Sequence, residues 1–236
     1  MFQDGALNNY FVDLYGATAY LTKASPAGLE NARTIEFMVD FMPLRFLTTA
    51  APAPNMTVFG EASNLGWFEY DAAITDTVTT APIRFGAIRN SVGKYSGDGS
   101  IELGRRTCIY GLDNGSNVYA WQDGTALGSA TAQADWTTAQ AAYPLDRPTA
   151  LNFGVELVGG TLCTPLRLYE VWIKVNSTKI LHYRPKPYMA DLATPIIKDL
   201  SEYGNDGTPN PGLESPWRIR DAWGKSPAQL SVGIVT

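Results

Sequence analysis

Apolar and polar residues alternate along several short segments of the chain. In residues 34–42, TIEFMVDFM, every second residue from Ile35 to Phe41 is apolar, whereas Glu36 and Asp40 lie on the opposite face. A period of two residues is typical of a half-buried β-strand. The same reasoning predicts strands at residues 56–62, 66–71, 82–88, 106–112, 117–122, 151–158, 166–175 and 180–183.

Glycine, asparagine and proline residues separate these segments. The Asn-Gly pair in LDNGS, residues 112–116, predicts a hairpin turn between two strands. KYSGDGS, residues 94–100, is predicted to be a loop or turn, and residues 130–142 could hold at most one short helix. Many short strands with turn residues between them indicate an all-β sandwich or barrel.

Two strands carry aromatic residues whose orientation matters for function. In residues 117–122, Tyr119 and Trp121 share a face that has no neighbouring charge, so we expect them to fill the core; stacking on a ligand is the alternative. In residues 166–175 one face is wholly apolar: Tyr169, Val171, Ile173 and Val175. The opposite, outward face carries Leu168, Glu170, Trp172 and Lys174.

Composition narrows the function classes. The chain has 236 residues, a formal net charge of −5 and 17% charged residues, below the usual ~25%. Lys and Arg residues are not clustered in the sequence, and nucleic-acid or membrane binding would require such a basic cluster. The first residues, MFQDGALNNYFVDLYG, lack the features of a signal peptide, so we expect synthesis in a cytoplasm and free thiols at Cys108 and Cys163.

Four stretches together resemble a known superfamily. They are YGATAYLTKA with TIEFMVDFM, then CIYGLDNGSNVYAWQDGTALGS, then LNFGVELVGG with PLRLYEVWIK, and finally NSTKILHYRPKPYMADLATPIIKDLSEYGNDGT. Their order is similar to that of laminin-G-like domains of the concanavalin A-like lectin/glucanase superfamily, in a branch common in bacteriophage virion proteins and bacterial surface proteins. The resemblance implies a two-sheet antiparallel jelly-roll sandwich over residues 10–213, with an N-terminal arm at 1–9 and a C-terminal arm at 214–236.

Glycan binding requires an exposed aromatic ring beside polar groups, because a sugar presents an apolar face and a rim of hydroxyls. Trp172 with Glu170 and Lys174 fits this requirement, and so does Trp67 with Glu69. Packing under a loop or against another subunit is the alternative for both tryptophans.

Catalysis is not expected. Related glucanases carry alternating acids on one strand, because glycoside hydrolysis needs two carboxyl groups ~5–10 Å apart. Here Glu69-Tyr-Asp71 lacks the third acid of that pattern. The single histidine, His182, is expected to make one hydrogen bond at a strand end.

Calcium is the one candidate cofactor. KDLSEYGNDG, residues 198–207, places Asp199, Asn205 and Asp206 in one loop, and hard cations bind clustered oxygens. The alternative is that these side chains cap their own backbone in Asx-type turns.

The C-terminal arm is apolar and lies outside the resemblance. Its large side chains are Trp217, Ile219, Trp223, Leu230 and Ile234, and we expect them to pack on a neighbouring chain. The leading hypothesis is therefore a non-enzymatic structural and adhesive component of a bacteriophage-like virion. It would be made in the host cytoplasm and displayed on the virion surface, with other virion proteins, copies of itself and host glycans as partners. The alternatives are a stand-alone lectin-like module and, third, a degenerate glycoside hydrolase.

Overall fold

A computed structural model describes residues 10–14, 20–29, 32–46, 56–59, 67–70, 79–89, 92–128, 150–153, 165–186, 196–210 and 219–220. These residues form sixteen β-strands and no helix. In chain order the strands are β1 (Phe11–Leu14), β2 (Tyr20–Ala24), β3 (Ile35–Pro43), β4 (Met56–Phe59), β5 (Trp67–Tyr70), β6 (Thr80–Arg89), β7 (Val92–Tyr95), β8 (Gly99–Glu102), β9 (Thr107–Asp113), β10 (Val118–Gln122), β11 (Thr125–Leu127), β12 (Ala150–Phe153), β13 (Leu166–Val175), β14 (Thr178–Tyr183), β15 (Thr208–Asn210) and β16 (Ile219–Arg220).

The strands form two antiparallel sheets of eight strands each. The first sheet has the order β11-β10-β9-β3-β13-β1-β16. Strand β14 also pairs with β13: β1 pairs with the first residues of β13, and β14 pairs with its last residues. The second sheet has the order β15-β2-β12-β4-β5-β6-β7, and β8 pairs with β6. The predicted all-β, two-sheet antiparallel sandwich is confirmed. Within the part of the chain that the structure describes, no helix is long and apolar enough to cross a membrane.

The core lies between the inner faces of the two sheets. Ile35, Phe37, Val39 and Phe41 of β3 are all buried in it, as their alternation predicted. The Phe37 ring meets Phe85 of the second sheet, with 5.7 Å between ring centroids. Burial of each such side chain stabilises the sandwich by ~1.5–3 kcal/mol, which makes the alternation in β3 a strong determinant of its orientation.

Strand β13 departs from the predicted alternation. Leu168 pairs with Phe41 and Glu170 pairs with Asp40, so Tyr169 is an extra residue in the ladder. Leu168 consequently belongs to the core cluster, whereas Tyr169 does not belong to it. The prediction that Tyr169 is inward and Leu168 outward is therefore wrong, because one bulged residue reverses the alternation on one side of it.

Residues 94–100 differ from their prediction as a loop. Strands β7 and β8 each contain part of this segment, and both pair with the long strand β6. Backbone pairing with β6 gives these glycine-rich residues an extended conformation that their own propensity does not favour. Residues 130–142, where a short helix was considered, and 154–158 of a predicted strand lie outside the described residues.

Two tight turns behave as their sequences predict. The β9–β10 turn is closed by Asn114, whose side-chain oxygen accepts hydrogen bonds from the backbone N–H groups of Ser116 (2.9 Å) and Asn117 (2.8 Å). The β10–β11 turn has Asp123 and Gly124 at φ 49° and 85°, the left-handed conformation of the favoured two-residue hairpin. These turns fix the register of the strands that carry the candidate site.

Candidate functional site

The aromatic side chains of β10 lie on the outward face of the first sheet. Val118 and Ala120 are buried in the core, whereas Tyr119 is 39% exposed and Trp121 is half-buried. The prediction that Tyr119 and Trp121 fill the core is therefore wrong. The reason lies across the sandwich: a Cβ at Gly111, which pairs with Ala120, would be 2.5 Å from the Phe85 ring. At this point Phe85 leaves room for only small residues on the inner face.

Four aromatic rings form one continuous surface, which we call the aromatic platform: Tyr119, Trp121, Tyr110 and Trp172. The ring centroids are 6.2 Å apart for Tyr119 and Trp121, 5.2 Å for Trp121 and Tyr110, and 5.9 Å for Tyr110 and Trp172. The strand register explains the alignment, because Trp121, Tyr110, Met38 and Trp172 are successive cross-strand neighbours on β10, β9, β3 and β13. Three strand spacings separate the backbones of the outer two strands by ~14 Å, and the rings of Tyr110 and Trp172 approach each other over the intervening Met38.

Polar groups surround one end of the platform. The Tyr110 hydroxyl donates a 3.0 Å hydrogen bond to Glu36, and Lys174 Nζ lies 3.4 Å from the same carboxylate oxygen. Burial and then the Glu36 carboxylate raise the pKa of Tyr110 well above its usual value, so its hydroxyl stays protonated and keeps donating. Lys174 Nζ is also 4.8 Å from the centroid of the Trp172 ring, and Lys179 Nζ is 5.7 Å from it.

Glu170, predicted beside Trp172, is held by cations. His182 Nε2 lies 2.8 Å from one of its carboxylate oxygens, and Arg184 Nε lies 3.7 Å from the other. Burial alone raises the pKa of Glu170, but the hydrogen bond and charge of His182, followed by the charges of Arg184 and Lys179, lower it below its ordinary value. His182 makes the strand-end hydrogen bond that was expected of it.

Asp40 is the cross-strand neighbour of Glu170, and it is also held by a cation. Arg106 binds both of its carboxylate oxygens, at 2.8 and 2.5 Å, and stacks 3.8 Å from the centroid of the Tyr169 ring. Burial raises the pKa of Asp40 more than Arg106 lowers it. The neighbouring Cys108 is a free thiol, and burial followed by the nearby carboxylates raises its pKa to about 12. The neighbouring acids Asp40 and Glu170 are therefore both held in ion pairs, and neither carboxylate is unpaired.

The second predicted stacking residue lies elsewhere. Trp67 and Glu69 belong to β5, where their backbones pair with Gly86 and Arg84 of β6 in the second sheet. The structure thus brings Glu170, Trp172 and Lys174 together and leaves Trp67 and Glu69 on the other sheet.

The three predicted calcium ligands are engaged with the chain itself. Asp199 accepts hydrogen bonds from the backbone N–H groups of His182 and Asn205, at 2.8 Å each. Asp206 accepts one from the Asp199 N–H at 2.9 Å and pairs with Lys198 at 2.7 Å. Among the described residues, no three or more His, Cys, Asp or Glu side chains are grouped as a metal site would require.

Asn205 is buried and makes three hydrogen bonds. Its oxygen accepts from the Ala27 N–H at 2.8 Å, and its amide nitrogen donates to the carbonyls of Ala27 (3.0 Å) and Ile180 (2.8 Å). These bonds join the loop to the start of β14 and to the turn after β2. Of the three residues, Asp199 makes the Asx-type bond of the alternative, because it accepts the Ser201 N–H at 3.0 Å, whereas Asn205 and Asp206 bind more distant backbone groups. Calcium binding stays a prediction.

Part of the predicted C-terminal arm belongs to the sheet. The backbones of Ile219 and Arg220 form β16 and pair with β1 of the same chain. The sandwich therefore extends beyond the predicted boundary at residue 213. Trp217, Trp223, Leu230 and Ile234 lie outside the described residues, and packing of the arm on another chain stays a prediction.

No protein-family model matches the sequence, and no curated protein sequence matches it. Among solved structures, the chain is similar to a proposed carbohydrate-binding protein from Bacteroides ovatus ATCC 8483, with a TM-score of 0.59 at 13% identity. The match covers 87% of this chain, which spans 59% of the length of that protein. A SAP-like pentraxin from Limulus polyphemus matches with a TM-score of 0.48 at 13% identity, over 72% of this chain and 77% of the pentraxin.

The likeness to the Bacteroides protein is consistent with the jelly-roll sandwich, and at this identity it supports the fold alone. The bacteriophage assignment of the chain stays a prediction.

Proposed function

We propose that the protein is a lectin-like carbohydrate-binding module and that the aromatic platform is its binding surface. One observation carries the proposal: four aromatic side chains from β9, β10 and β13 form a chain of tilted ring contacts on the outward face of the first sheet. An outward row of rings is not needed for the core, which is filled from the opposite faces of the same strands.

The chemistry of the platform suits a sugar. The rings offer apolar surface for the C–H face of a pyranose, while Glu36, Glu170 and Lys174 offer hydrogen-bonding groups at its rim. These polar groups are already held in place by protein partners, so little side-chain entropy is lost on binding. The Bacteroides neighbour, whose fold this chain shares, is itself described as a proposed carbohydrate-binding protein.

The test is glycan binding by the full chain and by two variants, Trp121→Ala and Trp172→Ala. A glycan array identifies a ligand, and titration calorimetry then measures its affinity. Each variant is expected to bind about 5- to 10-fold more weakly, because a lost ring contact is worth ~1 kcal/mol or more. Tyr203→Ala is the matched control, because Tyr203 is an exposed aromatic residue (40% exposed) of the loop at residues 196–207 and not of the platform.

Two results would contradict the proposal. The first is the absence of any glycan ligand for a chain whose circular dichroism shows a folded β protein. The second is an affinity that is unchanged in both tryptophan variants, which would place the site elsewhere, with Trp67 on the second sheet as the next candidate.

We also propose that the module binds glycans without hydrolysing them, the degenerate glycoside hydrolase being the alternative. The support is that Asp40 and Glu170, neighbouring acids on this face, are both held in ion pairs. Incubation with the identified glycan should release no reducing ends. Release that Glu170→Gln abolishes would make the protein an enzyme. Display of the module on a virion, with copies of itself as partners, remains a separate proposal that rests on the C-terminal arm.

A further inference from the structure

Two lysines converge on one end of the aromatic platform. Lys174 and Lys179 are cross-strand neighbours on the β13–β14 hairpin, so their side chains start from the same face of the sheet. Both ammonium groups lie beside the Trp172 ring, at 4.8 and 5.7 Å from its centroid. The cation–π attraction holds each of them near the ring.

The charges at this end do not balance. Lys174 shares the Glu36 carboxylate with the Tyr110 hydroxyl, so that one acid serves two donors. Among the described residues, no carboxylate lies within ion-pair distance of Lys179 Nζ. On the other side of Trp172, Glu170 is taken up by His182 and Arg184.

Among the described residues around Trp172, the permanent cations Lys174, Lys179 and Arg184 therefore face two carboxylates, in a chain whose net charge is −5. The rest of this acidic protein repels an anionic ligand, whereas a local excess of positive charge attracts it. The charge around Trp172 therefore favours an anionic ligand at this site.

We propose that the glycan bound on this platform is anionic, and that a carboxylate or sulfate group of one sugar unit binds Lys179 and Lys174 beside Trp172. This inference rests on the proposed function of the platform. The apolar face of the adjoining sugar unit packs on Tyr110 and Trp121, whose rings continue from Trp172 across the sheet. The acidic group gives Lys179 an anionic partner and gives Lys174 a second one.

The experiment measures binding of the full chain to two pairs of polymers by affinity electrophoresis and calorimetry. One pair is polygalacturonate and its fully methyl-esterified neutral form, and the other is dextran sulfate and dextran. The variant is Lys179→Gln, which removes the charge and keeps a side chain of similar length. The control is Lys23→Gln, which removes one positive charge from β2 in the second sheet.

We expect the chain to bind the acidic member of at least one pair more tightly than its neutral counterpart. Lys179→Gln should weaken that binding about 3- to 5-fold, as expected for loss of a partly exposed ion pair, and Lys23→Gln should leave it unchanged. Raising salt from about 50 to about 500 mM should weaken it further, because the Debye length shortens. The polyuronate and sulfate arms show which acidic group is recognised.

Equal binding of acidic and neutral members, or an affinity that Lys179→Gln leaves unchanged, overturns the inference. If the neutral polymers still bind and Trp121→Ala abolishes their binding, glycan binding by the platform stands and only the preference for an anionic glycan is refuted. If no polymer and no array glycan binds, the proposed function and this inference both fail.

Discussion

Replacing Asn205 by aspartate is expected to destabilise the sandwich strongly, although the change adds an oxygen of the kind that calcium prefers. The Asn205 side chain is 1% exposed and donates hydrogen bonds to the carbonyls of Ala27 and Ile180. Aspartate cannot donate these bonds when ionised, and its carboxylate would face both carbonyl oxygens. The bond accepted from the Ala27 N–H would remain.

The size of the effect follows from these contacts. Two lost bonds contribute ~1 kcal/mol each, and a buried charge without a partner raises the total to about 3–5 kcal/mol. For a chain of this length that corresponds to a melting temperature lower by ~6–20 °C. The folded state should raise the pKa of the new carboxyl group above its unfolded value of ~4, so the cost of the buried charge is full above the raised pKa, fades as pH falls from there towards ~4, and is absent below ~4, where the group is protonated in both states.

The assay is thermal unfolding of both proteins, with calcium and with a chelator, at about pH 7 and about pH 4. Asn114→Asp is the matched control, because Asn114 accepts hydrogen bonds from Ser116 and Asn117 through its oxygen, which aspartate retains. We expect the control to melt like the native chain and calcium to have no effect on either protein. A variant that is as stable as the native chain, or that calcium stabilises, would refute the hydrogen-bonding account of Asn205 and restore the calcium site.

Three further outcomes are expected. Gly111→Ala should lower the free energy of unfolding by about 1–3 kcal/mol, because the new Cβ would lie 2.5 Å from the Phe85 ring. Gly128→Ala is the control, because the space around Gly128 is open, and it should leave the free energy of unfolding unchanged. Equal stabilities of the two variants in urea would contradict this packing. Glu170→Gln should reduce stability at neutral pH, and the difference should shrink as pH falls below the ordinary glutamate value of 4.5 and through the lowered pKa of Glu170 in the folded state, because the carboxylate is then protonated. A difference that stays constant into acid would contradict this account. A chain ending at Arg220, which keeps the pairing of β16 with β1, should lose self-assembly in light scattering while still showing a cooperative melt, and unchanged assembly would show that the rest of the C-terminal arm is no interface.

Strand β3 and the two hairpin turns were predictable from the residues within each of them. The strict alternation in β3 places Phe37 and its neighbours inward because a one-residue slip would move the whole apolar set into water. The turns at Asn114 and at Asp123-Gly124 follow from side-chain capping and left-handed backbone conformations that these residues favour. The all-β class, the outward position of Trp172 and the hydrogen bond of His182 were predictable on the same basis.

Other features depended on contacts between residues far apart in the chain. Nothing within β10 says whether Val118 or Tyr119 faces inward, since both faces are free of charge; the Phe85 ring from the other sheet decides it. The small residues Val118 and Ala120, together with Gly111 on the neighbouring strand, were the available signal that the inner face is crowded. The bulge at Tyr169 likewise follows from pairing with β3 and not from the β13 sequence.

Alternation along the chain was enough to predict the all-β class, the β3 and β13 strands and the outward positions of Glu170, Trp172 and Lys174. The row that Tyr110 and Trp121 form with Trp172 depends on strand pairing, which alternation does not show. Tyr110 and Trp172 are about a quarter of the chain apart in sequence, and β3 holds their strands in register through its pairing with β9 on one side and β13 on the other. Alternation fixes which way a side chain points along its own strand, whereas which strands are neighbours, and in what register, is set by burial of the whole core.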